Sequence, residues 1–159
     1  MSLLFSRQCE YALQAMLYLA LKPDGEMVSI KEMTSRLGVP YHFVAKIFQE
    51  LSRKGLLKSL KGPRGGFTFA RSSRDITIFD VVETIDGPSF STGCVMGFPS
   101  CDGKHPCAVH REWGSLREQF VRELSGRSLN DFAKEMRRRP YRDSVPGGTR
   151  RKPHVNVVL

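Results

Sequence analysis

The sequence has no apolar run long enough to cross a bilayer. Its longest, Ala12 to Leu21, is interrupted at Gln14 and falls short of the ~20 residues that a spanning helix needs. The N-terminus shows no signal-peptide cleavage pattern, so the expectation is a cytoplasmic protein with no membrane partner. Cysteine is scarce, at four in 159 residues, and no two form a Cys-x2-Cys pair. That argues against a zinc ribbon or a thioredoxin-like redox site, and in a cytosolic chain so few thiols do not make a disulfide framework. There is no Ser/His/Asp arrangement, no phosphate-cradling glycine loop and no paired acid/base motif. An enzyme or a metal carrier is therefore the least favoured reading, and no small-molecule substrate is expected. Acidic residues are short as well, 16 against 25 Lys and Arg, for a formal charge of +9.

Such an excess points to a polyanionic partner, and where the charge falls says more than its sum. Six of the nine net charges lie between Lys134 and Leu159, in a tail with two basic clusters, Arg137 to Arg139 and Arg150 to Lys152. More informative is the run Arg53, Lys54, Lys58, Lys61, Arg64, Arg71 and Arg74, which has no acid inside it and is interleaved with Gly, Leu and Phe.

Apolar periodicity organises the first half of the chain. Tyr11, Ala12, Ala15, Met16, Leu19 and Ala20 recur at helical spacing, so Ser6 to Leu21 reads as an amphipathic helix ended by Lys22-Pro23-Asp24-Gly25. Ser29 with Glu32 is the capping-box pattern of a second helix, carried by Ile30, Met33 and Leu37 and ended at Gly38. Pro40 suits the first turn of a third helix, whose inward stripe is Phe43, Val44, Ile47, Phe48 and Leu51. Two short helices joined by a glycine turn are a helix-turn-helix, which sets the second helix in the major groove of double-stranded DNA. Tyr41, His42 and Lys46 then lie near base edges, and Ala45 against a thymine methyl.

Gly55 ends the third helix. Two short strands, Leu56 to Leu60 and Phe67 to Ala70, flank the tip Lys61-Gly62-Pro63-Arg64-Gly65-Gly66. The placement makes this hairpin a DNA-binding wing, with Lys58 and Lys61 on its flank and Arg64 poised for a narrow minor groove. A fourth helix runs from a Thr77 cap, with Asp80 at the matching position, to Ile85, and Asp86-Gly87-Pro88 closes it.

The next segment holds three of the four cysteines, spaced Cys94-x6-Cys101-x5-Cys107-x2-His110 and studded with Gly and Pro. Thiolates and imidazoles are ligands of soft and borderline metals, and three separated thiolates can wrap an iron–sulfur cluster. His110, one helical turn after Cys107, is the candidate fourth ligand. Cys9 reads as a small buried apolar residue and His105 as an exposed one. Beyond the loop, Val109, Trp113, Leu116, Phe120 and Leu124 form a long apolar stripe, expected to pack on its copy in a second chain. Gly126 stops that helix, and Ser128 caps a short last one that runs to Met136.

The whole pattern resembles the IscR and NsrR type of winged-helix iron–sulfur transcriptional regulators, the Rrf family, over about residues 1 to 137. Tyr11-Ala12-Leu13, Gly55-Leu56-Leu57, Gly62-Pro63-Arg64-Gly65-Gly66-Phe67 and the three cysteines followed by His110-Arg111-Glu112-Trp113 carry the resemblance. It implies a homodimer on a DNA operator and a [2Fe–2S] or [4Fe–4S] cluster on Cys94, Cys101 and Cys107, with DNA affinity dependent on cluster state. The fourth ligand implied is either His110 or Glu10, the latter given by the partner chain. Two departures are visible. The first cysteine gap holds six residues where relatives commonly have five, and Ala45 stands where cluster-biogenesis regulators carry an acid.

The expected fold is thus mainly α with a small β-hairpin. It divides into a winged helix-turn-helix at 1–87, a cluster loop at 88–107, a dimerisation helix plus a short helix at 108–136, and a disordered basic tail at 137–159. The expected function is a homodimeric regulator that senses iron–sulfur status, redox stress or nitric oxide. The alternative keeps the same DNA-binding part but uses the cysteines as a thiol/disulfide switch without a cluster.

Overall fold

A computed structural model of the chain describes residues 4–63 and 65–138. Arg64 and residues 139–159 lie outside the described residues, and with them the expected minor-groove arginine and most of the basic tail. The fold is a winged helix followed by three further helices, one of them a single short turn, as the apolar periodicity implied. In chain order the elements are α1 (Arg7–Ala20), α2 (Ile30–Leu37), α3 (Tyr41–Arg53), β1 (Leu57–Leu60), β2 (Gly66–Phe69), α4 (Ile78–Asp86), α5 (Ser89–Thr92), α6 (His110–Gly126) and α7 (Leu129–Arg138).

Ser6 caps α1 by accepting the Cys9 N–H, and the helix buries Cys9, Ala12, Ala15, Met16 and Leu19. Ser29 caps α2 in the same way through the Glu32 N–H, and Gly38 closes that helix at a φ of +66°. The reciprocal half of the expected capping box is not made. The Glu32 carboxylate instead accepts the Tyr18 hydroxyl at 2.6 Å and pairs with the Lys22 ammonium at 2.9 Å. A charge-assisted contact is the stronger one, and these two partners hold the Glu32 carboxyl below its ordinary range, the Tyr18 hydroxyl first and Lys22 second. Pro40 lies one position outside α3, as its cap residue, rather than within the first turn.

Helix α3 buries Val44, Ile47, Phe48 and Leu51, while Tyr11 of α1 meets Phe43 edge-on at 5.6 Å between centroids. β1 and β2 pair antiparallel from Leu57↔Phe69 to Leu60↔Gly66. Sequence periodicity gave no sign that Val28, ahead of α2, adds an isolated antiparallel bridge to β2. Its N–H and carbonyl bond Phe67 at 2.9 and 2.8 Å. A Cβ at Gly66 would come 2.7 Å from the Val28 carbonyl oxygen, so this close approach requires glycine. Phe67 then meets Phe48 at 4.8 Å between centroids, which seats the wing on the back of α3.

Thr77 and Asp80 form the complete capping box at the start of α4, with bonds of 3.1 and 2.8 Å. Ser128 and Asp131 repeat it at α7. The sequence suggested only an appended last helix, but α7 returns to the core. The Leu129 N–H bonds the Ile76 carbonyl at 2.8 Å, Leu129 and Ala133 are fully buried, and Arg137 donates to the Leu21 carbonyl at 2.8 Å. Arg137, expected at the head of the tail, instead satisfies carbonyls at the C-terminus of α1.

Candidate metal centre and nucleic-acid interface

The cysteine loop is shaped by turns rather than by a core. Helix α5 runs into Gly93, where any side chain would put its Cβ 2.5 Å from the Ser89 carbonyl oxygen. The Gly93 carbonyl accepts two hydrogen bonds from α6, from Trp113 Nε1 and Arg117 Nη1, each at 2.9 Å. Farther on, the Gly97 N–H turns back to the Cys94 carbonyl at a φ of +74°, and the Cys101 N–H bonds the Phe98 carbonyl. The Asp102 carboxylate accepts the Lys104 and His105 N–H groups at 2.8 and 2.7 Å, a side-chain-closed turn that aims the chain at Cys107. Helix α6 then starts at His110.

These turns bring the three half-buried thiols together. Their Sγ atoms all lie within 4.8 Å of one another, with Cys94 and Cys107 at 3.7 Å. His110 Nδ1 stands 3.1 Å from Cys101 Sγ, at the edge of the trio. Around a cavity of about 30 Å³ the same four residues are joined by Gly93, Trp113 and Arg117. Glu10 lies in the first turn of α1, and no carboxylate joins the cysteine group among the described residues.

The thiols are electrostatically unequal. Burial opposes ionisation of Cys94, but the backbone groups of Phe98 and Met96 and the thiols of Cys101 and Cys107 outweigh it, and its pKa falls from 9.0 to about 7. At Cys101 a backbone bond at Cys107 favours the thiolate, yet burial and the two neighbouring thiols push the pKa up overall. Cys9 is fully enclosed in the core, where burial first and the Asp86 carboxylate second push its pKa to about 12. It is an inert packing residue, as read from the sequence.

The face expected to meet DNA is open. Tyr41 is 61% exposed, His42 and Lys46 point outward beside it, and Ala45 is half-buried between them. In the wing, Lys58, Lys61, Gly62 and Pro63 are exposed. Gly65 and Gly66 have a prior structural reason for being glycine, since a Cβ on Gly65 would lie 2.3 Å from the Leu60 carbonyl oxygen.

The apolar stripe of α6 divides in two. Phe120 stacks on Phe5 at 6.2 Å and meets Phe90 at a tilt at 5.9 Å, Leu124 packs against the core, and Trp113 is turned to Gly93. Val109 and Leu116 remain exposed, the latter at 59%. Arg117 and Gly93 were not singled out from the sequence. The signal was there in the spacing of His110, Trp113 and Arg117, which share one helical face.

Residues 5–135 match the family described as Rrf2, iron-dependent transcriptional regulator. The chain belongs to the Rrf2 family. It is 35% identical over 132 residues to an HTH-type regulator assigned in Aquifex aeolicus (strain VF5), covering 82% of this chain and 91% of that one. With the HTH-type transcriptional regulator IscR of Xenorhabdus nematophila it shares 28% over 155 residues, 94% of each. Among solved structures, T. potens IscR superposes with a TM-score of 0.66 at 25% identity, covering 82% of this chain and 85% of that one. CymR, the global cysteine regulator of B. subtilis, gives 0.69 at 23% identity, covering 82% and 96%, a likeness of fold. As an Rrf2-family member the chain is a transcriptional regulator with a DNA-binding winged helix. Among its described residues no helix is long and apolar enough to cross a membrane.

Proposed function

We propose that the chain works as a homodimeric, DNA-binding regulator that holds an iron–sulfur cluster on Cys94, Cys101, Cys107 and His110. The observation that carries this reading is the convergence of three thiols within 4.8 Å, with an imidazole 3.1 Å from one of them. Three thiolates and a neutral imidazole fit such a group, because iron–sulfur centres take thiolate ligands and admit imidazole in their place. His110, 3.1 Å from Cys101 Sγ within the same chain, supports its role as fourth ligand, whereas Glu10 would act only from the partner chain. When bound, the cluster supplies a centre sensitive to oxidants and nitric oxide.

The chain's own residues then relay the state of the loop. Cys94 follows Gly93, which is bonded to α6, and α5 leads back to Asp86 at the end of α4. The Asp86 carboxylate accepts the Ser6 N–H at 2.9 Å and also its hydroxyl, at the cap of α1. From α1 the Tyr11 ring reaches Phe43 beside the exposed face of α3. Tyr41, His42, Ala45 and Lys46 read the major groove, and Lys58, Lys61 and the glycine-rich tip follow the backbone alongside. Val109 and Leu116, with the free edges of Trp113, Phe120 and Leu124, meet a second copy, which spaces half-sites by about 34 Å.

Anaerobic purification with iron and sulfide quantification tests the cluster. Colourless protein free of both after reconstitution removes it and leaves the DNA-binding role standing. One observation favours a second reading. Cys94 and Cys107 sit 3.7 Å apart at Sγ, and Cys94 is readily ionised, so a peroxide-class oxidant taking up two electrons and two protons would join them as a disulfide. Thiol counting in metal-free protein before and after peroxide separates the two readings.

A further inference from the structure

The start of the cysteine loop is held by a contact that neither ligation nor the core requires. Gly93 is a half-buried backbone unit at the end of a four-residue helix, and its carbonyl takes two side-chain donors at once, Trp113 Nε1 and Arg117 Nη1. The donors are one turn apart on α6, and His110 lies one turn before Trp113, so a single helical face carries a candidate ligand and then both donors. The site is built for this contact from both sides. The Gly93 N–H is fixed to the Ser89 carbonyl at 2.7 Å, and a side chain at Gly93 is sterically barred. Trp113 and Arg117 also line the cavity on which Cys94, Cys101, Cys107 and His110 converge.

We propose that Trp113 and Arg117 are positioning residues of the cysteine site, clamping the Gly93 carbonyl so that Cys94 is held against α6. Arg117 in addition lends the site a fixed positive charge. This rests on the cluster reading only for its redox part. The clamp orients one ligand through the peptide that precedes it, as second-shell partners orient metal ligands, and loss of such partners costs 10- to 100-fold in metal affinity. The guanidinium is always charged, and three thiolates make a bound cluster anionic. A positive charge beside an anionic centre favours its more negative, reduced state.

The test separates hydrogen bonding from charge. In metal-free, reduced protein without sulfide, cobalt(II) serves as the probe of the four donor atoms, read by its thiolate charge-transfer absorption. Trp113→Phe keeps an aromatic side chain and leaves the Arg117 charge in place but removes the indole donor. It is expected to weaken cobalt binding about 10-fold. An unchanged affinity in Trp113→Phe with native circular dichroism overturns the clamp.

In the reconstituted protein, Arg117→Gln keeps an N–H donor without the charge, while Arg117→Lys keeps the charge without the planar fork. The expected result is a roughly tenfold shift of the redox equilibrium toward the oxidised state in Arg117→Gln, about 60 mV for one electron, and little shift in Arg117→Lys. Equal potentials in both variants and the unaltered chain overturn the charge role. If the unaltered chain takes up neither iron nor sulfide, the cluster reading fails, and the cobalt comparison still decides the clamp.

Discussion

The lowered pKa of Cys94 makes a reactivity prediction that can be worked through in numbers. In metal-free, reduced protein the Cys94 thiol titrates at about 7 rather than 9.0, because backbone groups at Phe98 and Met96 and two neighbouring thiols outweigh its burial. At pH ~7 roughly half of it is thiolate, against ~1% of an ordinary thiol, an advantage of ~50-fold in the attacking species. A less basic thiolate is also a weaker nucleophile. With a Brønsted slope of ~0.4–0.5, two pK units cost ~6- to 10-fold. Alkylation of Cys94 by iodoacetamide at neutral pH should therefore run ~5- to 8-fold faster than that of an ordinary thiol, and further ahead of Cys101, whose pKa is raised.

The sign reverses with alkali. Once ordinary thiols ionise, above pH ~8, the advantage in thiolate fraction disappears and the weaker nucleophile falls behind. Rates at each cysteine, followed by peptide mass spectrometry from acid to alkaline pH, should show the Cys94 curve rising through about 7 and then being overtaken. Coincident curves for Cys94 and Cys101, both rising near pH ~9, would refute the electrostatic account of the loop.

Other consequences follow from contacts already described. Gly66→Ala drives a methyl toward the Val28 carbonyl and should break the two hydrogen bonds between Val28 and Phe67, costing about 1–3 kcal/mol in denaturant unfolding and weakening DNA binding. An unaltered melting curve would count against the bridge. Thr77→Ala removes one half of the capping box of α4 and should cost about 1 kcal/mol, measured by urea titration, with DNA affinity unchanged once the protein is folded. His110→Ala should make the cluster more labile while Glu10→Ala should not, as read from the decay of visible absorbance. The reverse order would assign the fourth ligand to α1.

Much of the fold was legible because the signals are local. The 3.6-residue stripes of α1, α3 and α4, the serine and threonine caps, and the glycines that end α2 and narrow the wing all act within one or two turns of themselves. The converging cysteines were legible by residue type, since few other uses exist for three thiols on a glycine- and proline-rich loop. What escaped was decided by partners distant in sequence. The Glu32 carboxylate is taken by the Tyr18 hydroxyl and the Lys22 ammonium, partners from α1 and the turn after it, rather than by its own helix cap. Val28 forms its bridge only because Phe67 arrives beside it. The stripe on α6 was read as one surface, but Phe5 and Phe90 take up Phe120 from within the chain. The carbonyl of Gly93 carries no sequence signature, so its two donors could be found only in three dimensions.

The return of α7 to the core has a consequence for synthesis. Leu129 and Ala133 join the packing around α1, so the two ends of the described chain share one hydrophobic core. A nascent chain that has emerged only as far as the cysteine loop cannot finish its hydrophobic interior. At ~5–20 residues per second, α1 waits several seconds for the helix that covers it. A message truncated within α6 leaves Leu129 and Ala133 out of that core, and its product should resist denaturant and proteolysis less well than the full chain.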